Sequence, residues 1–90
     1  MHNPTKPVTK IGFPVTAAIW RNEKSGRAYY SATFQLSYKD DDGNWKRTST
    51  FAIEDLLALA KIVDMAHTEM CRLRKADRDA AQVERPASDD

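Results

Sequence analysis

The sequence predicts an α+β fold: an antiparallel meander of about four strands followed by one long C-terminal helix, paired as a homodimer through the helices. Three observations carry this. Strict period-two alternation runs through residues 29–38. An Asp42-Gly43 step, the signature of a tight hairpin, follows it. From Ile53 onward the apolar period becomes helical, with no Gly or Pro before Pro86.

Residues 1–7 hold Pro4 and Pro7 and little apolar mass, and read as a flexible leader. Residues 8–80 form the single domain, and residues 81–90 read as a flexible acidic tail. Residues 8–13 are a short extended segment, which Pro14 confines to an edge or a bend. In the next strand Val15, Ala17 and Ile19 share one face, and Thr16, Ala18 and Trp20 the other. Residues 22–26 are a turn. The long strand sets Tyr30, Ala32, Phe34, Leu36 and Tyr38 against Tyr29, Ser31, Thr33, Gln35 and Ser37 on its opposite face. Residues 39–44 turn the chain, and residues 45–51 return as a fourth strand.

A helix is expected over about residues 53–80. Its apolar residues fall into two stripes rather than one. Ile53, Leu56, Leu57, Ala60, Val63 and His67 make the first. Leu59, Ile62, Ala66, Met70 and Leu73 make the second, at the three-four spacing of a coiled-coil seam. A helix that only covers its own sheet needs one stripe. The second stripe is therefore expected to be the dimer interface, since twofold self-pairing is the commonest assembly.

Composition narrows the function classes. Ninety residues make one domain at most. A hydrophobic fraction of 41% and a charged fraction of 30% fit a soluble globular chain. No run approaches the ~20 apolar residues of a membrane span. Met1-His2-Asn3-Pro4 does not open a secretory signal. A single cysteine excludes an internal disulfide. A cytoplasmic location is the expectation.

Catalytic chemistry finds little material, and the chain is not expected to be an enzyme. His2 lies in the leader. His67 and Cys71 have i,i+4 spacing, but two ligands do not close a zinc site, and they read as a packed imidazole beside a small buried thiol. Three isolated glycines make no phosphate-binding loop. Asp40-Asp41-Asp42-Gly43 lacks the remaining ligands of a calcium loop and reads as a solvated turn. No cofactor, metal or small-molecule substrate is expected.

A surface remains. Thr16, Ser31, Thr33, Gln35, Ser37, Thr48 and Thr50 gather on the polar face of the meander. Trp20 and Tyr29 project from the same side, with Lys46 beside them. Arg21, Lys24, Arg27, Lys39 and Arg47 sit at strand ends and turns, near Trp45. Aromatic platforms among basic and hydroxyl side chains hold single strands, with bases stacking and cations tracking phosphates. The plain alternative is an ordinary solvent face, where Ser and Thr are favoured anyway. The net charge of +1 hides an uneven distribution. Residues 1–52 carry eight basic and four acidic groups, whereas residues 53–90 carry six basic and nine acidic.

The run Phe34-Gln-Leu-Ser-Tyr38-Lys-Asp-Asp-Asp-Gly43-Asn-Trp45-Lys46, with Phe51 leading into a Leu-rich helix, resembles the positive cofactor four transcriptional coactivator family. Those are small single-stranded-DNA-binding proteins, with the Whirly proteins as larger structural relatives. The resemblance covers about residues 8–75. Ile19-Trp20-Arg21-Asn22 also resembles a step in a group of small uncharacterised bacterial proteins. The family resemblance implies a four-stranded sheet plus one helix, dimerised through the helices. It also implies single-strand binding through Arg27, Tyr29, Lys39, Trp45, Lys46 and Arg47. This chain departs from the pattern: Thr48-Ser49-Thr50 replaces the basic Gly-containing stretch before the helix, and the Ser- and Lys-rich N-terminal region is missing.

The expected function is thus binding of single-stranded nucleic acid, DNA ahead of RNA, with low sequence preference and an accessory role in transcription or replication. The nucleic-acid-binding residues would be Trp20, Arg21, Lys24, Arg27, Tyr29, Lys39, Trp45, Lys46 and Arg47. The alternative is a dimeric protein–protein interaction module that binds no nucleic acid.

Overall fold

The computed structural model describes residues 6–84, with side chains to residue 81. Most of the expected leader and the tail from residue 85 lie outside the described residues. Four antiparallel strands form one sheet in the order β1-β2-β3-β4: β1 (Thr9–Ile11), β2 (Val15–Lys24), β3 (Arg27–Lys39) and β4 (Trp45–Thr48). A short 3-10 turn, Ile53–Asp55, leads into a single helix, α1 (Leu56–Glu84). The α+β meander is as the alternation predicts.

Boundaries differ for local reasons. β2 and β3 run on past the expected turn at Asn22, because the chain reverses only at Ser25-Gly26, both at positive φ. Two such central residues match the right-handed twist of the flanking strands. β4 stops at Thr48 rather than residue 51. The Thr48 hydroxyl accepts the Thr50 N–H at 3.1 Å, a local turn that competes with the ladder. α1 runs to Glu84, four residues beyond the expected end.

The β3–β4 turn is organised by Asp40. Its carboxylate accepts the N–H groups of Asp42 (3.0 Å) and Asn44 (2.9 Å), while Gly43 takes φ +83°. These are the contacts of an Asx turn.

The core sits between one sheet face and α1. Ala17, Ile19 and Ala66 are essentially sealed, and Ile11, Tyr30, Phe34, Ile62, Met70 and Leu73 pack around them. The helix therefore lays Ile62, Ala66, Met70 and Leu73 on its own sheet. This corrects the expectation that the stripe Leu59, Ile62, Ala66, Met70 and Leu73 is the dimer interface. Ala66 and the small Ala17 share this cluster with Ile19, and their short side chains suit a close approach of helix to sheet. The spacing of both stripes suits burial, so periodicity alone could not choose between them.

Gly12 is part of the same packing. It lies at φ +90°, and a Cβ there would collide with the Ile62 side chain and the Val15 carbonyl. Only glycine combines that conformation with that close approach.

Candidate nucleic-acid interface

Sheet register determines which side chains face away from α1. Thr16, Ala18, Trp20, Asn22 and Lys24 pair across to Gln35, Thr33, Ser31, Tyr29 and Arg27. Lys10 joins them opposite Ala18. Ser37 and Lys39 pair with Arg47 and Trp45. Strand positions on this face thus carry five cations (Lys10, Lys24, Arg27, Lys39 and Arg47) and no carboxylate among the described residues. Glu23, the one acidic residue inside a strand, alternates to the opposite side.

A groove of about 520 Å³ runs over the face. Its floor is made of small groups, Thr16, Ala18, Thr33, Gln35 and Ser37, and Lys10, Trp20 and Arg47 stand at its rim. Trp20 is half-buried, and its indole N–H donates to the Thr33 hydroxyl at 3.0 Å. That bond pins the ring across the floor. Asn22 donates to the Ser31 hydroxyl at 3.0 Å beside it.

Beyond Arg47 the groove opens onto an aromatic corner. Trp45 is 59% exposed and Phe13 is 70% exposed. Their rings meet edge-on with centroids 5.7 Å apart. The Lys39 ammonium lies 5.4 Å from the Trp45 ring centroid, within cation–π range. A second open space of about 550 Å³ borders Phe13, Ser37, Trp45, Lys46 and Arg47. Phe13 escaped the sequence reading. Its only signal is an apolar residue at a Gly-Phe-Pro bend, where nothing indicates that the bend swings it back over β4.

Seven of the nine expected binding residues lie on this face by register: Trp20, Lys24, Arg27, Tyr29, Lys39, Trp45 and Arg47. Tyr29, near the β2–β3 turn, also borders a cavity of about 270 Å³ against α1. Two residues do not share the strand parity of the face. Lys46 pairs with Tyr38, which gives it the parity of the helix side, yet it still borders the open space beside Trp45 and Arg47, and its ammonium lies 3.5 Å from the Asp40 carboxylate. Arg21 pairs with Tyr30 and reaches Asp77 of α1 at 3.3 Å and Glu23 at 2.9 Å. The sequence reading set Lys46 beside Trp20 and Tyr29 and Arg21 among the strand ends and turns, whereas the register gives both the opposite parity.

Arg21 belongs instead to a clamp between sheet and helix. The Tyr30 hydroxyl donates to Asp77 at 2.6 Å, and the Arg21 Nε–H donates to the same oxygen. The Tyr30 hydrogen bond, then Arg21, holds the Asp77 carboxyl below its ordinary 3.8. Partial burial, then Asp77, pushes the Tyr30 phenol above 10.0. The bonds to Glu23, Tyr30 and Asp77 raise Arg21 further.

The His67–Cys71 pair is also corrected. His67 is exposed rather than packed, and Cys71 is half-buried with Sγ 3.6 Å from Nε2. Among the described residues no group of three His, Cys, Asp or Glu side chains gathers to hold a metal, and no helix is long and apolar enough to cross a membrane. No family model, curated protein or solved structure matches the chain, so its functional reading rests on the geometry of this face.

Proposed function

We propose that the chain binds single-stranded nucleic acid on the sheet face opposite α1, with little sequence preference, as a homodimer. One observation carries the reading: strand alternation collects five cations and three aromatic rings on a face that has no carboxylate at its strand positions. A duplex hides its bases, so exposed rings above a floor of hydroxyl groups favour an unpaired strand, whose bases can stack at about 1–3 kcal/mol each. The protein contribution is electrostatic attraction plus stacking, with no chemical step.

The dimer is argued from what α1 leaves open. Ile53 is 88% exposed and Leu57 86%, while Leu56 and Val63 are about half exposed. Among the described residues only Val15, Ala17, Ile19 and Ala66 are buried, a thin core for a chain of this length. A second copy laid against the stripe Ile53, Leu56, Leu57 and Val63 hides those residues and leaves the opposite sheet face free for the strand.

Fluorescence anisotropy with a labelled oligothymidylate at low salt tests the binding. The double variant Lys39→Ala, Arg47→Ala is expected to bind about tenfold more weakly or worse. Equal affinity for duplex and single strand, or an unaffected double variant, would refute the assignment.

A further inference from the structure

The face is not a uniform platform. Its aromatic rings are gathered at two ends, with small polar side chains between. At one end Trp20 lies opposite Ser31, with Tyr29 two residues farther along β3 on the same side. At the other end Trp45 lies opposite Lys39, with Phe13 against it. Ser31 and Lys39 are eight residues apart on one strand, about 27 Å at a rise of ~3.4 Å per residue. Thr33, Gln35 and Ser37 contribute no ring of their own to the interval, into which the Trp20 ring leans as far as Thr33 from one end while Phe13 borders the groove from the other. The cations divide likewise. Lys24 and Arg27 belong to the Trp20 end, Lys39 and Arg47 to the Trp45 end, and Lys10 stands beside the interval, opposite Ala18.

From this spacing we infer that one strand of nucleic acid runs along β3 between two aromatic stations, Trp20 with Tyr29 and Trp45 with Phe13, and must be long enough to engage both. The inference rests on the nucleic-acid reading above and adds the ligand's path and minimum length. A stacked strand advances ~3.4 Å per nucleotide and covers the backbone interval in about eight. A strand splayed over the hydroxyl floor covers it in about four or five, within the range known for sheet-based single-strand sites. The floor suits the passage: Thr33, Gln35 and Ser37 are short or flexible, and the groove above them is open. Engaging the second station is then an intramolecular event, so affinity rises in a step once the ligand spans the gap.

Two features make the Trp45 station a place to stack rather than a packed corner. Both rings are well exposed. Lys39 is already placed over one of them, so a phosphate meets a cation next to the stacked base. At the Trp20 station the ring is held by the Thr33 hydroxyl and needs no ordering on binding.

Oligothymidylates of about three, five, eight and twelve nucleotides, spanning these site sizes, are titrated by anisotropy against the parent protein. Trp45→Ala and Phe13→Ala remove the exposed station, and Tyr29→Ser and Trp20→Phe weaken the other, with circular dichroism checking that each variant is folded. The expected result is a rise of about tenfold or more between three and eight nucleotides and little further gain at twelve. Trp45→Ala is expected to abolish that step, weakening the eight-nucleotide ligand about tenfold while changing the three-nucleotide ligand less than about twofold. A smooth rise with length, or an equal loss by Trp45→Ala on the short and long ligands, overturns the two-station path but leaves single-strand binding standing. Absence of binding at every length by the folded parent protein overturns both.

Discussion

At the scale of single residues, Asp77 does the most to join helix to sheet outside the apolar core. It accepts from Tyr30 and Arg21, two residues of different strands that face each other in the register. The ion pair itself is about 40% exposed on both sides and is worth little alone. The Tyr30 hydrogen bond is the stronger part, and Tyr30→Phe is expected to destabilise by about 0.5–1.5 kcal/mol. The pH dependence is two-sided. Asp77 titrates below 3.8 in the fold, so its contribution is whole above that value and fades as pH falls through the lowered one. Tyr30 titrates above 10.0, so its contribution is whole below that value and fades as pH rises through the raised one. Thermal melts of the parent and of Tyr30→Phe should therefore differ most between about pH 4 and pH 10 and converge at both extremes. A difference that stays constant with pH would separate Tyr30 from this clamp.

At the scale of elements, the helix presents two apolar stripes, and only contact with the sheet distinguishes them. Ile62, Ala66, Met70 and Leu73 pack with Ala17 and Ile19, whereas Ile53 and Leu57 are left exposed among the described residues. The two stripes should respond differently to the same change. Ile62→Glu places a carboxylate in the core and is expected to unfold the chain, a loss of several kcal/mol. Leu57→Glu is expected to leave the far-ultraviolet circular dichroism intact while halving the mass in sedimentation. A Leu57→Glu variant that keeps the parent's mass would move the interface elsewhere. The 3-10 turn before α1 is tied by reciprocal contacts: Asp55 N–H donates to the Ala52 carbonyl at 2.9 Å, and Ala52 N–H to the Asp55 carboxylate at 3.3 Å. This tie sets the start of the stripe at the sheet's edge without a Ser or Thr cap.

At the scale of the whole molecule, charge is separated by topology. The meander bears the basic excess on its helix-free face, and the carboxylates of α1 lie on the other side. A net charge of +1 is therefore a poor guide to what the sheet attracts. If all five cations of the face meet phosphates, the logarithm of the binding constant should fall with the logarithm of salt concentration at a slope of about −3.5, from ~0.7 per phosphate on single strands. The Lys39→Ala, Arg47→Ala variant should reduce that slope by about 1.4. A slope near zero in the parent protein would mean that the phosphate backbone is not what the face holds.

The sequence by itself determined the element types and their order, because the shift from period two to a helical period at Ile53 and the turn residues before it are local signals. It also determined which residues of β2 and β3 share a face, because alternation in a strand is a backbone property. Placement across the sheet was decided only in three dimensions. Arg21 looks like a neighbour of the binding residues until the pairing with Tyr30 turns it to Asp77 of the helix. Phe13 meets Trp45 across the sheet, a contact that no local signal in the sequence announces. The choice between two equally spaced apolar stripes was settled by which one fits against Ala17 and Ile19. Periodicity reports that a face is apolar, whereas shape complementarity with the rest of the chain decides what covers it.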